Sequence, residues 1–245
     1  MLQANDVRFA YGSIRRRPIF DGLSWCVAPG VTTLLLGRNG AGKSTLLKLL
    51  AGQERTDSGS VTLNGIDERA SLYARVGWMP QDIRAARGLS VREQVQYAAW
   101  VGGAARREAE SLATEALQLV RLSDQAGVRS SALSGGQLRR LGLAQACVRG
   151  GDVLLLDEPT AGLDPAQTLN FRSVLKGLDY PGGVVISTHQ VADLSGDFDR
   201  VAVLSNGGVI FDDVVEAFAE HGKSLGVTSG NLAETFSRMI RGEDA

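Results

Sequence analysis

A glycine-rich loop between an apolar strand and a helix constrains this chain more than any other feature. Residues 31–36 are apolar and include β-branched types, which predicts a strand, and leucines follow Lys43 at helical spacing. The loop between them fits the pattern Gly, four residues, Gly-Lys-Ser, which is typical of a phosphate-binding loop. The loop and the residue after it are Gly37, Arg38, Asn39, Gly40, Ala41, Gly42, Lys43, Ser44 and Thr45.

The chemistry of this loop follows from its backbone. Successive N–H groups that point inward form a nest for an anion, and the N-terminus of the following helix adds partial positive charge. We expect Lys43 to reach the β- and γ-phosphates of a nucleotide and the Ser44 hydroxyl to bind Mg²⁺. The alternative is a glycine-rich turn with a solvated lysine.

Two adjacent carboxylates follow the most apolar strand. Residues 153–156 form an uninterrupted apolar run, and Asp157 and Glu158 come directly after it. Placing two carboxylates at the end of a buried strand costs free energy unless a cation or a substrate uses them. We therefore expect Asp157 to bind Mg²⁺, through water, and Glu158 to polarise an attacking water molecule.

A second anion site is predicted where another helix begins. A hydroxyl, bare backbone N–H groups and the helix dipole all face one way at such a sequence. The residues concerned are Ser134, Gly135, Gly136 and Gln137, after Leu133. A plain helix cap with a flexible hinge is the alternative.

Strands and helices alternate along the chain, which predicts an α/β fold with a mainly parallel sheet. Residues 82–129 interrupt this alternation with a helical pattern, in which Ser90 and Glu93 form a capping box. Residues 60–63 lie between turn signals and predict a short hairpin strand. An apolar stripe on a second helix of the insertion is predicted for Leu112, Ala116, Leu119 and Val120.

Composition excludes several classes of protein. The 26 basic and 27 acidic residues leave a net charge of −1, whereas a nucleic-acid-binding surface normally shows a basic excess. No apolar run approaches the roughly 18–20 residues that cross a bilayer. The first residues lack the charged-then-apolar pattern of a signal peptide, so we expect a chain that is not secreted.

Taken together, these motifs resemble the nucleotide-binding domain of ATP-binding cassette (ABC) transporters. The resemblance extends from Tyr11 to about Phe211. It implies a P-loop NTPase core with a mainly parallel sheet, an antiparallel β subdomain and an inserted α-helical subdomain. It further implies one nucleotide-binding domain over residues 1–245, with the helical insertion at 82–135 and a C-terminal hairpin and helices at 206–245.

The resemblance also implies roles for single residues. The glycine loop matches the Walker A motif, Asp157 and Glu158 match the Walker B aspartate and the catalytic glutamate, and 133–137 matches the family signature. Four further matches are Gln81 as the Q-loop glutamine that contacts Mg²⁺ and water, Asp164 in the D-loop, His189 as the switch histidine, and Tyr11 as the aromatic residue that stacks on adenine. Each of three residues has an alternative interpretation: Gln81 is a solvated turn residue, His189 is an ordinary loop histidine, or Tyr11 is a core residue of a strand.

The family implies ATP and Mg²⁺ as ligands and a head-to-tail dimer of two copies, in which Ser134 and Gly136 of one copy face the γ-phosphate held by Lys43 of the other. It implies a separate multi-span permease and a peripheral location at the cytoplasmic face of the cell membrane, with no nucleic-acid partner. Residues 187–194 and the helix at 231–241 are similar to the exporter branch that handles drugs, antibiotics or peptides. An importer cassette, a soluble non-transport ABC ATPase and pairing with a different cassette are the alternatives.

Overall fold

The structure is a computed structural model that describes residues 1–12, 16–149, 151–189, 198–228 and 231–243. In these ranges the strands are β1 (Leu2–Tyr11), β2 (Arg17–Cys26), β3 (Thr32–Leu36), β4 (Ser58–Leu63), β5 (Val76–Met79), β6 (Val153–Asp157), β7 (Val184–Thr188), β8 (Arg200–Ser205) and β9 (Gly208–Val214). The helices are α1 (Lys43–Leu50), α2 (Arg69–Arg75), α3 (Val91–Val101), α4 (Arg106–Leu119), α5 (Gly135–Cys147), α6 (Pro165–Leu175), α7 (Val215–Ser224) and α8 (Leu232–Glu243). The alternation of strands and helices confirms the predicted α/β class.

The larger sheet brings the predicted motifs to one edge. Its strand order is β5-β6-β7-β3-β8-β9, and all its neighbouring pairs are parallel except β8 with β9. Leu36 pairs with Thr188 and Asp157 pairs with Ser187, so β3, β6 and β7 end level with one another. Because parallel strands share the edge at which they end, the glycine loop, the acidic pair and His189 emerge side by side.

Side chains of the larger sheet alternate between two hydrophobic cores. Leu34 and Leu36 belong to the core shared with α3, α4 and α5, whereas Leu35 belongs to the core shared with β1, β2, β4 and α1. Leu154 and Leu155 divide in the same way. This period of two, with both faces buried, explains why residues 34–36 of β3 and 153–156 of β6 are apolar without interruption.

The smaller sheet is antiparallel, with the order β2-β1-β4. The prediction of a hairpin strand at residues 60–63 is wrong in its pairing, because β4 pairs with β1 and not with a neighbour in sequence. Ala4 lies opposite Val61 and Leu2 opposite Leu63, and all four side chains are buried. The Asn64-Gly65 turn closes only one isolated bridge, from Leu63 to Ile66, before the chain turns towards α2.

Helices α3, α4 and α5 lie between β5 and β6, and α3 and α4 fall within the predicted insertion at 82–135. The capping box of α3 is confirmed, since the Glu93 N–H donates to Ser90 Oγ and the Ser90 N–H donates to the Glu93 carboxylate. The apolar stripe of α4 is wrong at Leu119, which is 38% exposed. The helix ends there, and the buried residues on α4 are Ala109, Ala113, Ala116 and Leu117.

Candidate functional site

The glycine loop wraps around the side chain of Lys43. Lys43 is the first residue of α1 and is only 6% exposed, and its Nζ donates to the carbonyl oxygen of Gly37 at 2.8 Å. A Cβ on Gly37 would lie 2.7 Å from the carbonyl oxygen of Leu204, and Gly42 has a φ of 102° beside the Phe20 ring. These two positions require glycine, so the loop is a cradle built from bare backbone.

The acidic pair sits where β6 ends, as the sequence predicts. Asp157 is 2% exposed and Glu158 is 7% exposed. Glu158 adopts a left-handed backbone conformation with a φ of 48°, which few residues other than glycine adopt. The backbone of Asp157 is the last part of strand β6, whereas the left-handed backbone of Glu158 turns the chain out of the strand.

A buried serine on β7 holds both acidic residues, and sequence analysis missed it. The Ser187 hydroxyl donates to Asp157 Oδ1 at 2.7 Å and accepts the Glu158 N–H at 3.0 Å. Ser187 is fully buried and lies directly opposite Asp157 in the sheet. A serine that follows three apolar residues in a strand predicted to lie beside the acidic pair is the signal that could have identified it, because a buried polar group needs a partner.

Lys43, Glu158 and His189 form a chain of contacts at the base of the loop. Lys43 Nζ lies 3.8 Å from Glu158 Oε1, and His189 Nδ1 lies 2.9 Å from both carboxylate oxygens of Glu158. Burial lowers the pKa of Lys43, while the charges of Glu158 and Asp157 act in the opposite direction. The site therefore holds a desolvated ammonium next to carboxylates, an arrangement that a phosphate group would stabilise further.

These side chains open into a hollow of about 570 Å³. Its lining includes ten predicted site residues, which are Tyr11, Asn39, Gly40, Gly42, Lys43, Ser44, Thr45, Gln81, Glu158 and His189. Arg17 and Ile19 also line it and were not predicted. Arg17 lies opposite Tyr11 in the pairing of β1 with β2, a register that the sequence alone does not reveal. A volume of this size is typical of small-molecule sites.

Tyr11 stands at the rim of the hollow. Its side chain is 39% exposed, its ring contacts Phe9 edge to face, and its hydroxyl lies 3.4 Å from Thr45 Oγ1. The hydroxyl contact ties β1 to the first turn of α1. An aromatic ring held in place with part of its surface exposed is suited to stacking against a planar base.

The second predicted anion site is a helix cap that lies apart from this hollow. Ser134 Oγ accepts the Gln137 N–H at 3.3 Å, and Gln137 Oε1 accepts the Ser134 N–H at 2.9 Å, so α5 begins with a capping box. Gly136 packs against Gln167 of α6, and Asp164 caps that helix through the Gln167 N–H at 2.8 Å. Within the described ranges, the residues that line the hollow include none of these.

The site offers the oxygen ligands that Mg²⁺ prefers. Ser44 and Gln81 line the hollow, whereas the buried carboxylate of Asp157, at the end of β6, is not among the residues that line it. Mg²⁺ is usually bound by one or two carboxylates, several waters and substrate phosphates, so a hydroxyl, an amide and one carboxylate fit it. Among the described residues no group of three or more His, Cys, Asp and Glu side chains is placed to hold a metal ion.

None of the helices in the described ranges is long and apolar enough to span a membrane. The predicted run at 187–194 is described only as far as His189, and residues 190–194 lie outside the described part of the chain.

Comparisons with known proteins agree with this geometry. The family described as "ABC transporter" matches residues 20–161, which is more than half of the chain. The chain is 34% identical to a methionine import ATP-binding protein of Rhizobium johnstonii over 86% of its own length and 60% of that protein. It is 36% identical to a Nod factor export ATP-binding protein I of Paraburkholderia xenovorans over 88% of its length and 71% of that protein.

A solved structure shares the fold. It is the dimeric structure of a post-hydrolysis state of an ATP-binding cassette bound to ADP and Pi, with a TM-score of 0.76. The match covers 87% of this chain and 98% of that one at 22% identity. The family match, the relatives and the P-loop geometry agree, and this chain belongs to the ABC transporter family.

Proposed function

We propose that this chain binds ATP with Mg²⁺ in the hollow at Lys43 and hydrolyses it to drive export of a substrate through a separate membrane permease. The observation that carries this proposal is the juxtaposition of Lys43, Glu158 and His189 at the base of the glycine loop. A desolvated cation 3.8 Å from a carboxylate, with an imidazole 2.9 Å from that same carboxylate, is a set of groups suited to phosphoryl transfer to water.

Each residue has a distinct task in this proposal. Lys43 and the backbone N–H groups of the loop bind the phosphates, and Tyr11 stacks on the base. Glu158 orients and polarises the attacking water, and His189 hydrogen-bonds the γ-phosphate. Ser44, Gln81 and Asp157 hold Mg²⁺, which supplies electrostatic stabilisation of the charge on the transferred group.

The position of the second anion site supports a dimer. Ser134 and Gly136 stand at the N-terminus of α5, and neither lines the hollow that holds Lys43 within the described part of the chain. A helix N-terminus binds anions through its N–H groups and dipole. We propose that a second copy, placed head to tail, brings this terminus to the γ-phosphate, with Asp164 at the same interface.

The direction of transport has two candidates. Export is our proposal, because residues 187–194 and the helix at 231–241 resemble exporter cassettes, and one relative is an export protein by name. Import is the second candidate, since another relative is a methionine import protein. We further propose a single domain over residues 1–245, with the insertion at 82–135, the C-terminal part at 206–245, and a peripheral location at the cytoplasmic face of the membrane.

Co-purification tests this function. Tagged Glu158→Gln protein is extracted from native membranes in mild detergent with ATP and Mg²⁺, and its partners are identified by mass spectrometry. We expect a multi-span membrane protein in near-stoichiometric amount. The direction in which that protein moves its substrate then decides between export and import. Lys43→Ala protein in the same preparation reports whether the complex depends on nucleotide. Recovery of the chain without any membrane protein contradicts the proposal.

A further inference from the structure

One arginine joins two loops of the site that come from different parts of the chain. Arg139 lies in the second turn of α5, where its Nη1 donates to the backbone oxygen of Gln81 at 2.5 Å. Its Nη2 donates to the backbone oxygen of Ala161 at 2.9 Å. Gln81 follows β5 and Ala161 follows β6, so a single guanidinium spans the ends of two neighbouring strands. The rigid fork of arginine donors fixes the separation of the two oxygens it binds.

The Gln81 side of this link belongs to the helical insertion. A Cβ on Gly142 of α5 would lie 2.2 Å from Ile83 Cδ1, so the chain after Gln81 packs directly on the α5 backbone. Gln94 of α3 donates to the carbonyl oxygen of Arg84 at 2.9 Å and accepts the Ala86 N–H at 2.8 Å. The segment that follows Gln81 is thus attached to α3 of the insertion and to α5.

The Ala161 side of the link belongs to the turn that carries Glu158. The Ala161 N–H donates to the Glu158 carbonyl oxygen at 3.1 Å. The Glu158 N–H is in turn held by the hydroxyl of Ser187 in the core of the sheet. Through Ala161, the Arg139 guanidinium is therefore one short turn away from the backbone of Glu158.

The guanidinium is partly buried between these loops and stays charged. Burial lowers the pKa of Arg139, while the carboxylates of Asp82, Glu158 and Asp157 act in the opposite direction. An arginine remains protonated under all ordinary conditions, so the link does not depend on pH near neutrality.

We propose that Arg139 is a positioning residue that sets the distance between Gln81 and Glu158 and thereby couples the position of the helical insertion to hydrolysis. The proposal rests on the function proposed above, because it requires that Glu158 polarises the attacking water and that Gln81 contacts Mg²⁺. A shift of the insertion moves Gln81 directly, and the second hydrogen bond of Arg139 carries that shift to the turn of Glu158. Misplacement of a reacting group by about 1 Å costs on the order of 100-fold in rate.

Arg140 supplies a matched control. It is the next residue on α5 and also donates to two backbone oxygens, those of Val120 at 3.2 Å and Arg121 at 2.8 Å, within the insertion. Arg139→Gln and Arg140→Gln therefore remove the same charge and the same number of hydrogen bonds from one helix. Only Arg139→Gln breaks a link to the nucleotide site, and Arg139→Lys keeps the charge without the fork.

The kinetic test compares kcat, KM for ATP and the Mg²⁺ concentration for half-maximal rate. For Arg139→Gln we expect kcat to fall about 10- to 100-fold with ATP affinity within about twofold of wild type, and the Mg²⁺ requirement to rise. Arg139→Lys should fall between wild type and Arg139→Gln, because one ammonium cannot bind both oxygens in the same geometry. A kcat for Arg139→Gln within about twofold of wild type, or an equal loss in Arg140→Gln, overturns the proposal.

Hydrogen exchange tests the link without relying on hydrolysis. In Arg139→Gln we expect the backbone amides of residues 82–86 and 161–164 to exchange faster together, whereas Arg140→Gln leaves both segments unchanged. Unchanged exchange in Arg139→Gln overturns the link itself. If wild-type protein hydrolyses no ATP, the proposed function fails, and the exchange result still decides whether Arg139 connects the two loops.

Discussion

The substitution Ser187→Ala tests whether the acidic pair is held by the hydroxyl on β7. The change removes a hydrogen bond of 2.7 Å to the buried carboxylate of Asp157 and one of 3.0 Å from the Glu158 N–H. That N–H keeps a second acceptor, the Ser187 carbonyl oxygen at 3.2 Å, so it is not left without a partner. The main loss is therefore the bond to a charged acceptor, which is typically worth about 1.5–3 kcal/mol.

Ser130→Ala is the matched control for this loss. Ser130 is 1% exposed, and its hydroxyl donates to the carbonyl oxygens of Ala86 and Leu89 at 3.0 and 3.2 Å, which are neutral acceptors. Both carbonyls also accept a backbone N–H, so the control leaves no orphaned group. A neutral hydrogen bond contributes about 0.5–1.5 kcal/mol, so Ser130→Ala should cost less than Ser187→Ala.

Urea unfolding followed by circular dichroism measures both variants. We expect a lower midpoint for Ser187→Ala than for Ser130→Ala with similar m-values, because neither change alters the surface exposed on unfolding. Ser187→Ala should also lower ATPase turnover, since Glu158 relies on that hydroxyl to hold its left-handed backbone. The reasoning is refuted if Ser187→Ala costs no more stability than Ser130→Ala and leaves turnover unchanged.

Two further predictions concern the phosphate loop and the predicted dimer. Burial lowers the pKa of Lys43 in the folded protein below the usual 10.5 that it has in the unfolded chain. Between the folded and the unfolded pKa, the unfolded chain therefore binds more protons than the folded one. The free energy of unfolding should rise with pH in that range. Lys43→Met protein should lack this rise. ATP binding to the wild-type protein should be accompanied by proton uptake in the same pH range, which calorimetry in buffers of different ionisation enthalpy would measure. Ser134→Arg should leave ATP binding by one copy intact and prevent ATP-dependent dimers on a sizing column. ATP-dependent dimers of that variant would contradict the head-to-tail arrangement.

The parts of the site that obey local rules could be predicted from sequence. The glycine loop between β3 and α1, the acidic pair after β6 and the capping box at Ser90 each depend on residues a few positions apart. Once a parallel sheet is predicted, the shared edge of its strands also brings His189 to the same place as Glu158. Those predictions required no knowledge of side-chain packing.

The parts that depend on long-range pairing could not be predicted. Residues 60–63 read as one strand of a hairpin, yet β4 joins β1, which lies far away in sequence. Arg17 reaches the hollow only because β2 pairs with β1 opposite Tyr11. The links from Ser187 to Asp157 and from Arg139 to Gln81 and Ala161 join residues separated by 22 to 58 positions, and no local pattern marks them.

The most direct test of the account is a comparison of ATP binding and ATP turnover in wild-type and Glu158→Gln protein. The substitution keeps the shape and the hydrogen-bonding capacity of the side chain and removes the carboxylate that lies 2.9 Å from His189 and 3.8 Å from Lys43. We predict ATP affinity at least equal to wild type, because Lys43 loses a competing anion, and turnover reduced by about 10²- to 10⁴-fold. Turnover near the wild-type rate would contradict the central role given to Glu158, and loss of ATP binding would contradict the division of labour between Glu158 and the glycine loop.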